Sequence, residues 1–469
     1  MLYRSLRAAA GVALRWFYRE VAVEGLERVP ADAPLLVAAN HPNQLIDALL
    51  VGLSLGREVT FTGKAILMDS APSRFLLQRL PFVPLRRAAD ERQAAKEGRR
   101  AAPADRARNA DAFQAILDAL ADQQAVLIFP EGISHDRPEL APIRTGAARI
   151  ALQARDERGL ADLHIVPVGL TFERKWAPRT RALVQVGEPI RIGSWRAPDG
   201  AGEVDALTAE LDRRLRAVTL NFPTADAAAE ALGVAGALGG ATAAADDVRS
   251  LGSPDAPLAE LAALARRAGE ARAALDAAPA ELAARAARLR TDVDAFADEM
   301  RSSGIEAGDL GVATDRAAAL RFTLRELWLG VAGGPAALWG RVNHWPALTL
   351  ARLVARRTSR TPEDPAMHTV VAGLAAVPLC YALQTAAVGA WVGWWWAALY
   401  LLSLPAAGTW SLRFADRWAR ARQRAHAFVT FRRSPDTQRR LVAELVRMRG
   451  EAAALESAVG GQRAALVGR

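Results

Sequence analysis

Between Asp364 and Arg413 the chain contains no Asp, Glu, Lys or Arg, and the run MHTVVAGLAAVPLCYALQTAAVGAWVGWWWAALYLLSLPAAGTW is apolar almost throughout. A helix rises about 1.5 Å per residue and a bilayer's hydrocarbon core is roughly 30 Å thick, so this stretch is about twice what one crossing needs. Two transmembrane helices, about 367–385 and 390–410, fit that length, with Gln384 to Gly389 as the turn between them. Trp391, Trp394, Trp395 and Trp396 suit an aromatic belt at the far interface. Arg-rich segments flank the run on both sides, ARLVARRTSR at 351–360 and RFADRWARARQR at 413–424. The positive-inside rule then places both flanks, and the domain attached to them, on the cytoplasmic side, at the inner membrane in a bacterium. A buried helical pair of a soluble domain is the alternative. The preceding LWLGVAGGPAALWG (327–340) is short and Gly-rich and suits the membrane interface, which gives a membrane region over 326–412 and cytoplasmic helices over 413–469.

The chain's other end carries a second, weaker membrane signal. In MLYRSLRAAAGVALRWFYRE, Leu2, Leu6, Ala9, Ala13, Trp16 and Phe17 fall near one helical face, with Arg4, Arg7 and Arg15 outside it. That pattern fits an interfacial amphipathic helix over 1–20, and equally an ordinary surface helix on the domain that follows. Arg15 interrupts the apolar stretch and no small-residue cleavage site follows, so a signal peptide is the poorer reading.

The remaining length of this 469-residue chain allows further domains. The net charge of +9 is carried almost wholly by arginine, since Lys64, Lys96 and Lys175 are the only lysines. An arginine-rich surface suits phosphate and anionic lipid headgroups. Nucleic acid is disfavoured as a partner, because the charge is spread along the chain with no basic tail, zinc-ligand spacing or RNA-binding signature. The single cysteine, Cys380, allows neither an internal disulfide nor a cysteine metal site.

From 21 to 222, short apolar runs alternate with longer amphipathic ones, the rhythm of an α/β domain. Strands are expected at 34–39, 58–62, 125–129, 164–172 and 182–187, and helices at 43–55, 105–122, 144–157 and 203–219. Over 223–325 the sequence becomes Ala-rich, with acidic residues and arginine between, which reads as a helical hairpin or short bundle packed through small residues.

Two segments carry chemistry. The strand PLLVAA runs into Asn40-His41-Pro42-Asn43-Gln44-Leu45-Ile46-Asp47 and then an apolar helix. With Asn43 as the cap, Asp47 falls in the first turn and its carboxylate can lean back toward His41. A neutral histidine held by a carboxylate can deprotonate an alcohol, because imidazole's ordinary pKa of about 6.5 lies near working pH. Alone, this pair is as well explained by structure as by catalysis. The strand AVLIF ends in Phe129-Pro130-Glu131-Gly132-Ile133-Ser134-His135-Asp136 and continues through APIRTGAARIAL. Gly132 lets the backbone approach a ligand closely.

Together these motifs resemble the glycerolipid acyltransferase superfamily, which includes glycerol-3-phosphate, dihydroxyacetone-phosphate and lysophosphatidic acid acyltransferases. NHPNQLID looks like the first, His-Asp motif. PFVPLRR, ending at Arg87, looks like the second. FPEGISHDRPELAPIRTG looks like the third, and IVPVGLTF, followed by RALVQVGEPI, looks like the fourth. The resemblance covers roughly 20–190. It implies an α/β acyltransferase domain, a mixed sheet flanked by helices, to which the Ala-rich helical region and the C-terminal transmembrane hairpin are added.

The resemblance also implies roles. His41 is the general base on the acceptor hydroxyl and Asp47 orients it. Arg87 grips the acceptor phosphate, Glu131 and Gly132 lie at acceptor-binding positions, and Lys64 and Arg144 are either further phosphate contacts or surface cations. His135 and Asp136 shape the pocket or merely close a turn. The donor is acyl-coenzyme A or an acyl-carrier protein, and the acceptor is a glycerol-phosphate or a lysolipid such as lysophosphatidic acid. Membrane lipids are the other partner, and no metal or cofactor is required. The chain departs from the usual family pattern in one respect: five residues separate His41 from Asp47, where most members have four. An extra residue turns a helical position by about 100°, so the loop must absorb it. That spacing points to the glycerol-3-phosphate/dihydroxyacetone-phosphate branch. It is also the one support for the opposite reading, an idle relative that only holds lipid or a partner. A serine hydrolase built on Ser134 and His135 is the poorest alternative, since adjacent side chains are badly placed for a nucleophile and its base.

Overall fold

A computed structural model describes residues 2–68, 74–75, 77–85, 106–198, 200–238, 257–275, 278–359 and 364–467. It divides into two units, the first formed by 1–219 with 351–374 and the second by 220–350 with 375–469.

The first unit begins with α1 (Leu2–Phe17) and β1 (Glu20–Glu24), followed by β2 (Leu35–Ala39), α2 (Leu45–Ser54), β3 (Val59–Lys64) and β4 (Phe82–Leu85). Then come α3 (Arg106–Ala121), β5 (Ala125–Ile128), α4 (Gly146–Arg158), β6 (His164–Phe172), β7 (Arg181–Val186), β8 (Ile190–Arg191) and α5 (Glu203–Val218). All five expected strands and all four expected helices form, within a few residues of their expected ends. The strands make one mixed sheet in the order β1-β7-β6-β2-β5-β3-β4, with β8 beside β6. Only the β6–β7 and β6–β8 pairs are antiparallel.

Helices cover both faces of the sheet. Strand β2 lies at its centre and is buried throughout, which is why Leu-Leu-Val-Ala-Ala shows no polar alternation. Leu36 and Ala38 point into a core built with Ile116 and Leu117 of α3, Ala148 of α4 and Leu211 of α5. Leu35, Val37 and Ala39 point the other way, into a core with Leu14 and Phe17 of α1, Ile46 and Leu50 of α2, and Ala366 and Val370. Thus α1 buries Ala10, Leu14 and Phe17 against the domain itself, the surface-helix arrangement that the sequence left as the alternative to an interfacial one.

Because β2, β3, β4 and β5 run parallel, their C-terminal ends lie along one edge. The loops leaving those ends carry both motifs, as expected of open α/β sheets, where ligands sit beyond the carboxyl ends of the strands.

In the second unit, α6 (Ala225–Leu238) and α7 (Leu258–Leu275) pack through Ala227, Ala231, Ala235 and Ala265 around Phe222. α8 (Ala280–Ser302) contributes Val293, Phe296 and Met300 to a separate core. Three long helices follow, α9 (Arg316–Thr358), α10 (Asp364–Trp391) and α11 (Trp394–Arg433), and then α12 (Pro435–Val467). The segment 327–340 is the middle of α9 rather than a separate interfacial piece.

The apolar hairpin turns later than expected. Residues 384–389 are helical, and the break falls at Val392–Gly393, where Gly393 has φ 114°. Gln384 is no turn residue because its Nε2 donates to the Asn343 carbonyl at 2.9 Å. At Gly389 a Cβ would lie 2.7 Å from the Trp394 ring, so this glycine serves close packing. The second apolar helix therefore starts at 394 instead of 390, and it runs past 412 without interruption to Arg433. Among the described residues, α10 alone is long and apolar enough by length and composition to cross a membrane.

The tightest backbone approach to a described glycine of the first unit is at Gly169 of β6, where a Cβ would lie 1.9 Å from the Val218 carbonyl oxygen. Neither group can move without opening the sheet from α5. Gly169→Ala is therefore expected to cost about 3 kcal/mol in chemical denaturation, whereas Gly159→Ala, at φ 66° in open space, is expected to cost only about 1 kcal/mol.

Candidate active site

The loop leaving β2 is fixed before it reaches the histidine. Asn40 clamps the Leu170 backbone of β6, its Oδ1 accepting the N–H at 2.7 Å and its Nδ2 donating to the carbonyl at 3.1 Å. The next residue, His41, donates its backbone N–H to Glu131 Oε1 at 2.8 Å and stacks its ring on Phe129, with centroids 3.8 Å apart. Both partners belong to the segment FPEG that leaves β5, so the ends of β2 and β5 position one imidazole.

The extra residue between His41 and Asp47 is absorbed at Gln44, which has φ 50° and ψ −127°. Helix α2 starts just after it, and His41 Nδ1 and Asp47 Oδ2 meet at 2.9 Å. The cap is not the expected one. Asn43 makes no side-chain cap; its backbone N–H donates to Asp47 Oδ2 at 2.6 Å. Its buried Nδ2 instead donates to the Tyr18 hydroxyl at 3.0 Å and the Lys175 carbonyl at 3.1 Å.

Exposure divides the labour within the pair. Asp47 is 0% exposed, while the His41 side chain keeps 17%, so the imidazole is the group that can meet a substrate. An ionised carboxylate only accepts hydrogen bonds, so Nδ1 carries the proton and Nε2 presents its lone pair. Loss of water around Asp47 pushes its pKa above the ordinary carboxylate value, against the opposing pull of His41, the Asn43 N–H and the charge of Lys175. Asp47 Oδ1 is buried without a hydrogen-bond partner, which adds to that burial cost.

The FPEGISHD segment is turned inward to a degree the sequence did not suggest. Glu131 is buried and its Oε2 takes the Ala141 N–H at 2.8 Å and the His135 Nε2 proton, while Oε1 holds His41. Its carboxylate is thus spent on shaping the site. His135 Nδ1 accepts the Arg137 N–H at 3.1 Å, so neither ring nitrogen is available to activate Ser134. Gly132, at φ 73°, lies under the Arg144 side chain; a Cβ there would approach Nε to 2.8 Å. Arg144 and, at the end of β3, Lys64 are exposed cations on this edge of the sheet. Arg87 lies outside the described residues.

Sequence reasoning missed Tyr18 and Lys175. Lys175 is buried, and its Nζ bridges the Pro42 carbonyl at 2.9 Å and Asp136 Oδ1 at 2.6 Å, tying the two motif loops together. One signal was available: a lysine in a chain that uses arginine nearly everywhere else. Tyr18 gave none, since its hydroxyl reaches the Lys175 carbonyl at 3.1 Å only through tertiary folding. Among the described residues no cluster of three or more His, Cys, Asp or Glu side chains could hold a metal.

Residues 20–171 match the family model described as acyltransferase. Glycerol-3-phosphate O-acyltransferase 2 of Saccharomyces cerevisiae is 35% identical over 127 residues, 26% of this chain and 17% of that protein. Glycerol-3-phosphate O-acyltransferase 1 of the same yeast is 38% identical over 80 residues, 17% of this chain and 10% of that protein. An uncharacterized acyltransferase of Schizosaccharomyces pombe is 26% identical over 254 residues, 39% of this chain and 38% of that protein. The chain therefore spans well under two thirds of the length of these relatives. The crystal structure of the 1-acyl-sn-glycerophosphate acyltransferase PlsC from Thermotoga maritima matches with a TM-score of 0.34 and 18% identity, over 45% of this chain and 78% of that one.

The raised pKa of Asp47 has a measurable sign. An unfolded aspartate titrates near about pH 4, and the folded one titrates higher. Between those values the folded state alone holds the proton, so stability present below about pH 4 is lost as pH rises through the folded value. Asp47→Asn removes this titration. Its stability relative to the native chain should improve as pH rises above about 4, up to the raised folded value of Asp47, in urea unfolding; a pH-independent difference contradicts the assignment.

Proposed function

We propose that this chain, whose residues 20–171 form an acyltransferase-family domain, moves a fatty acyl group from a thioester to the hydroxyl of a glycerol-3-phosphate-type acceptor. The observation that carries this reading is the 2.9 Å contact between His41 Nδ1 and the fully buried Asp47. His41 Nε2 removes the acceptor's hydroxyl proton as the oxygen attacks the thioester carbonyl. The tetrahedral intermediate then collapses, the C–S bond breaks, and the thiolate takes the proton back from the imidazolium. Asp47 holds the ring in this tautomer and stabilises its charged form; its burial-raised basicity makes it a stronger acceptor for Nδ1–H.

The acceptor assignment is supported by the two yeast relatives, both named as glycerol-3-phosphate acyltransferases, and by the cations Lys64 and Arg144 at the open edge of the sheet. Arginine's planar fork suits a phosphate dianion, and Arg87 is assigned to the same task. The donor is a thioester of coenzyme A or of an acyl-carrier protein.

The reaction belongs at a membrane surface. Besides the composition of α10, the long helices α9–α11 show an inverted polarity: Leu327, Trp328, Val331, Leu383, Leu402 and Trp395 are exposed, while His344 and Tyr381 hydrogen-bond to each other at 2.5 Å and Tyr400 donates to Asn343 at 2.6 Å. Apolar outside and polar inside is the pattern of helices in lipid. In this reading the catalytic domain faces the cytoplasm, which the Arg-rich flanks support through the positive-inside rule.

Two measurements test the reading. Purified protein in detergent, given palmitoyl-coenzyme A or an acyl-carrier-protein thioester with glycerol-3-phosphate, dihydroxyacetone phosphate or lysophosphatidic acid in turn, should release free thiol fastest with glycerol-3-phosphate. His41→Ala should slow that release by roughly 10²–10⁴-fold; equal rates in the two proteins, or no acceptor dependence, refute the assignment. Arg144→Ala should raise the acceptor KM about tenfold with kcat nearly unchanged, and an unaltered KM removes Arg144 from the phosphate site.

A further inference from the structure

The residue that absorbs the extra loop length, Gln44, has the dihedrals of the second residue of a type II′ turn, and the Ile46 N–H closes that turn on the Asn43 carbonyl at 3.1 Å. Glycine ordinarily occupies this position, because any side chain crowds the backbone there. A glutamine persists in such a conformation only when its surroundings hold it. Two contacts do so. The Gln44 N–H donates to Ser134 Oγ at 3.3 Å, and Gln44 Nε2 donates to Asp364 Oδ1 at 2.9 Å.

Asp364 is 320 residues away in sequence and opens α10, the helix with the strongest membrane signal. Its end of that helix nevertheless belongs to the catalytic unit. Ala366 is 0% exposed and Val370 4%, in the same apolar core as Ile46 and Leu50 of α2. The carboxylate that takes Gln44 is therefore mounted on the core that also seats the helix carrying Asp47.

We propose that Asp364 is a positioning residue for acyl transfer: through Gln44 it holds the turn that lets His41 and Asp47 meet across five intervening residues. This rests on the acyl-transfer reading of the site. Asp364 touches no reacting atom; it acts on the loop, and the loop sets the imidazole. Loss of the contact lets Gln44 relax toward negative φ, which rotates the start of α2 and carries Asp47 away from Nδ1. The effect falls on the chemical step, and acceptor binding is spared.

The test uses the full-length protein in detergent and follows acceptor-dependent thiol release for Asp364→Ala, Gln44→Ala, Gln44→Gly and the pairwise combinations. Asp364→Ala and Gln44→Ala are each expected to lower kcat by roughly tenfold to a hundredfold with acceptor KM within about twofold, and the double alanine variant to be no worse than either single. Asp364→Asn, which can still accept from Gln44, should recover much of the loss. Gln44→Gly removes the need for the contact, so adding Asp364→Ala to Gln44→Gly should cost less than about threefold. Undiminished kcat in Asp364→Ala overturns the proposal, as does a full loss that persists on the Gln44→Gly background, which would assign the effect to packing of α10.

If Asp364→Ala fails to fold, Gln44→Ala against Gln44→Gly decides alone, and equal kcat overturns it. If the native chain shows no thiol release at all, the acyl-transfer reading fails by itself. The loop is then judged by the His41 Nδ1–H resonance, which Asp364→Ala should shift or broaden and the added Gln44→Gly restore; an unmoved resonance sinks the proposal.

Discussion

Everything at this site depends on one hydrogen bond made under a geometric handicap. Five residues separate His41 from Asp47, one more than in most members of the family that the motifs resemble, and an extra residue turns a helical position by about 100°. The chain meets this with a residue at positive φ, Gln44, at a cost on the order of 1–3 kcal/mol for a non-glycine residue. The surrounding contacts offset that cost. Asn40 pins the strand end, Glu131 fixes the His41 backbone, and Lys175 ties Pro42 to Asp136. Asn40, Glu131 and Lys175 are buried or half-buried, so their bonds to the backbone are protected from competition by water, while Asp136 takes Lys175 from the exposed side.

Such an arrangement needs a rigid platform, and the central strand provides it. β2 is buried on both faces and paired on both edges, by β5 and β6. The residue following it is therefore placed to within the tolerance of a packed core, and the FPEG segment, leaving β5 alongside, inherits the same frame. Burial then separates the two partners chemically. The carboxylate is shut away from water, and the imidazole beside it remains partly exposed. Helix α10 joins this platform at its first turns, where Ala366 and Val370 enter the same core.

Much of this was legible in the sequence. The continuous apolar runs of a parallel sheet, the 3.6-residue rhythm of the helices between them and the ordered motifs were enough to place His41 and Asp47 at a strand end. What was missed was decided by tertiary contact. β1 (EVAVE) is an edge strand with exposed side chains, and β4 and β8 are short, so none shows the apolar run that marks a buried strand. Gln384 and Gly389 read as a turn because local propensity cannot see that one donates to Asn343 and the other makes room for Trp394. Glu131 read as a ligand-facing group because its motif is exposed to the site, yet three donors turn its carboxylate inward. Asp364 was read only as the charged border of an apolar run, since nothing local hints at a partner in the catalytic loop.

The most direct test of this account is the protonation pattern of His41 itself. Histidine-selective 15N labelling of the six histidines, with His41→Gln to assign the resonance, shows which ring nitrogen bears the proton at neutral pH. A protonated Nδ1 with an unprotonated Nε2, lost or strongly shifted in Asp47→Asn, is the predicted result. A proton on Nε2, unaffected by Asp47→Asn, would mean that the two side chains are not coupled and that His41 is not the base described here.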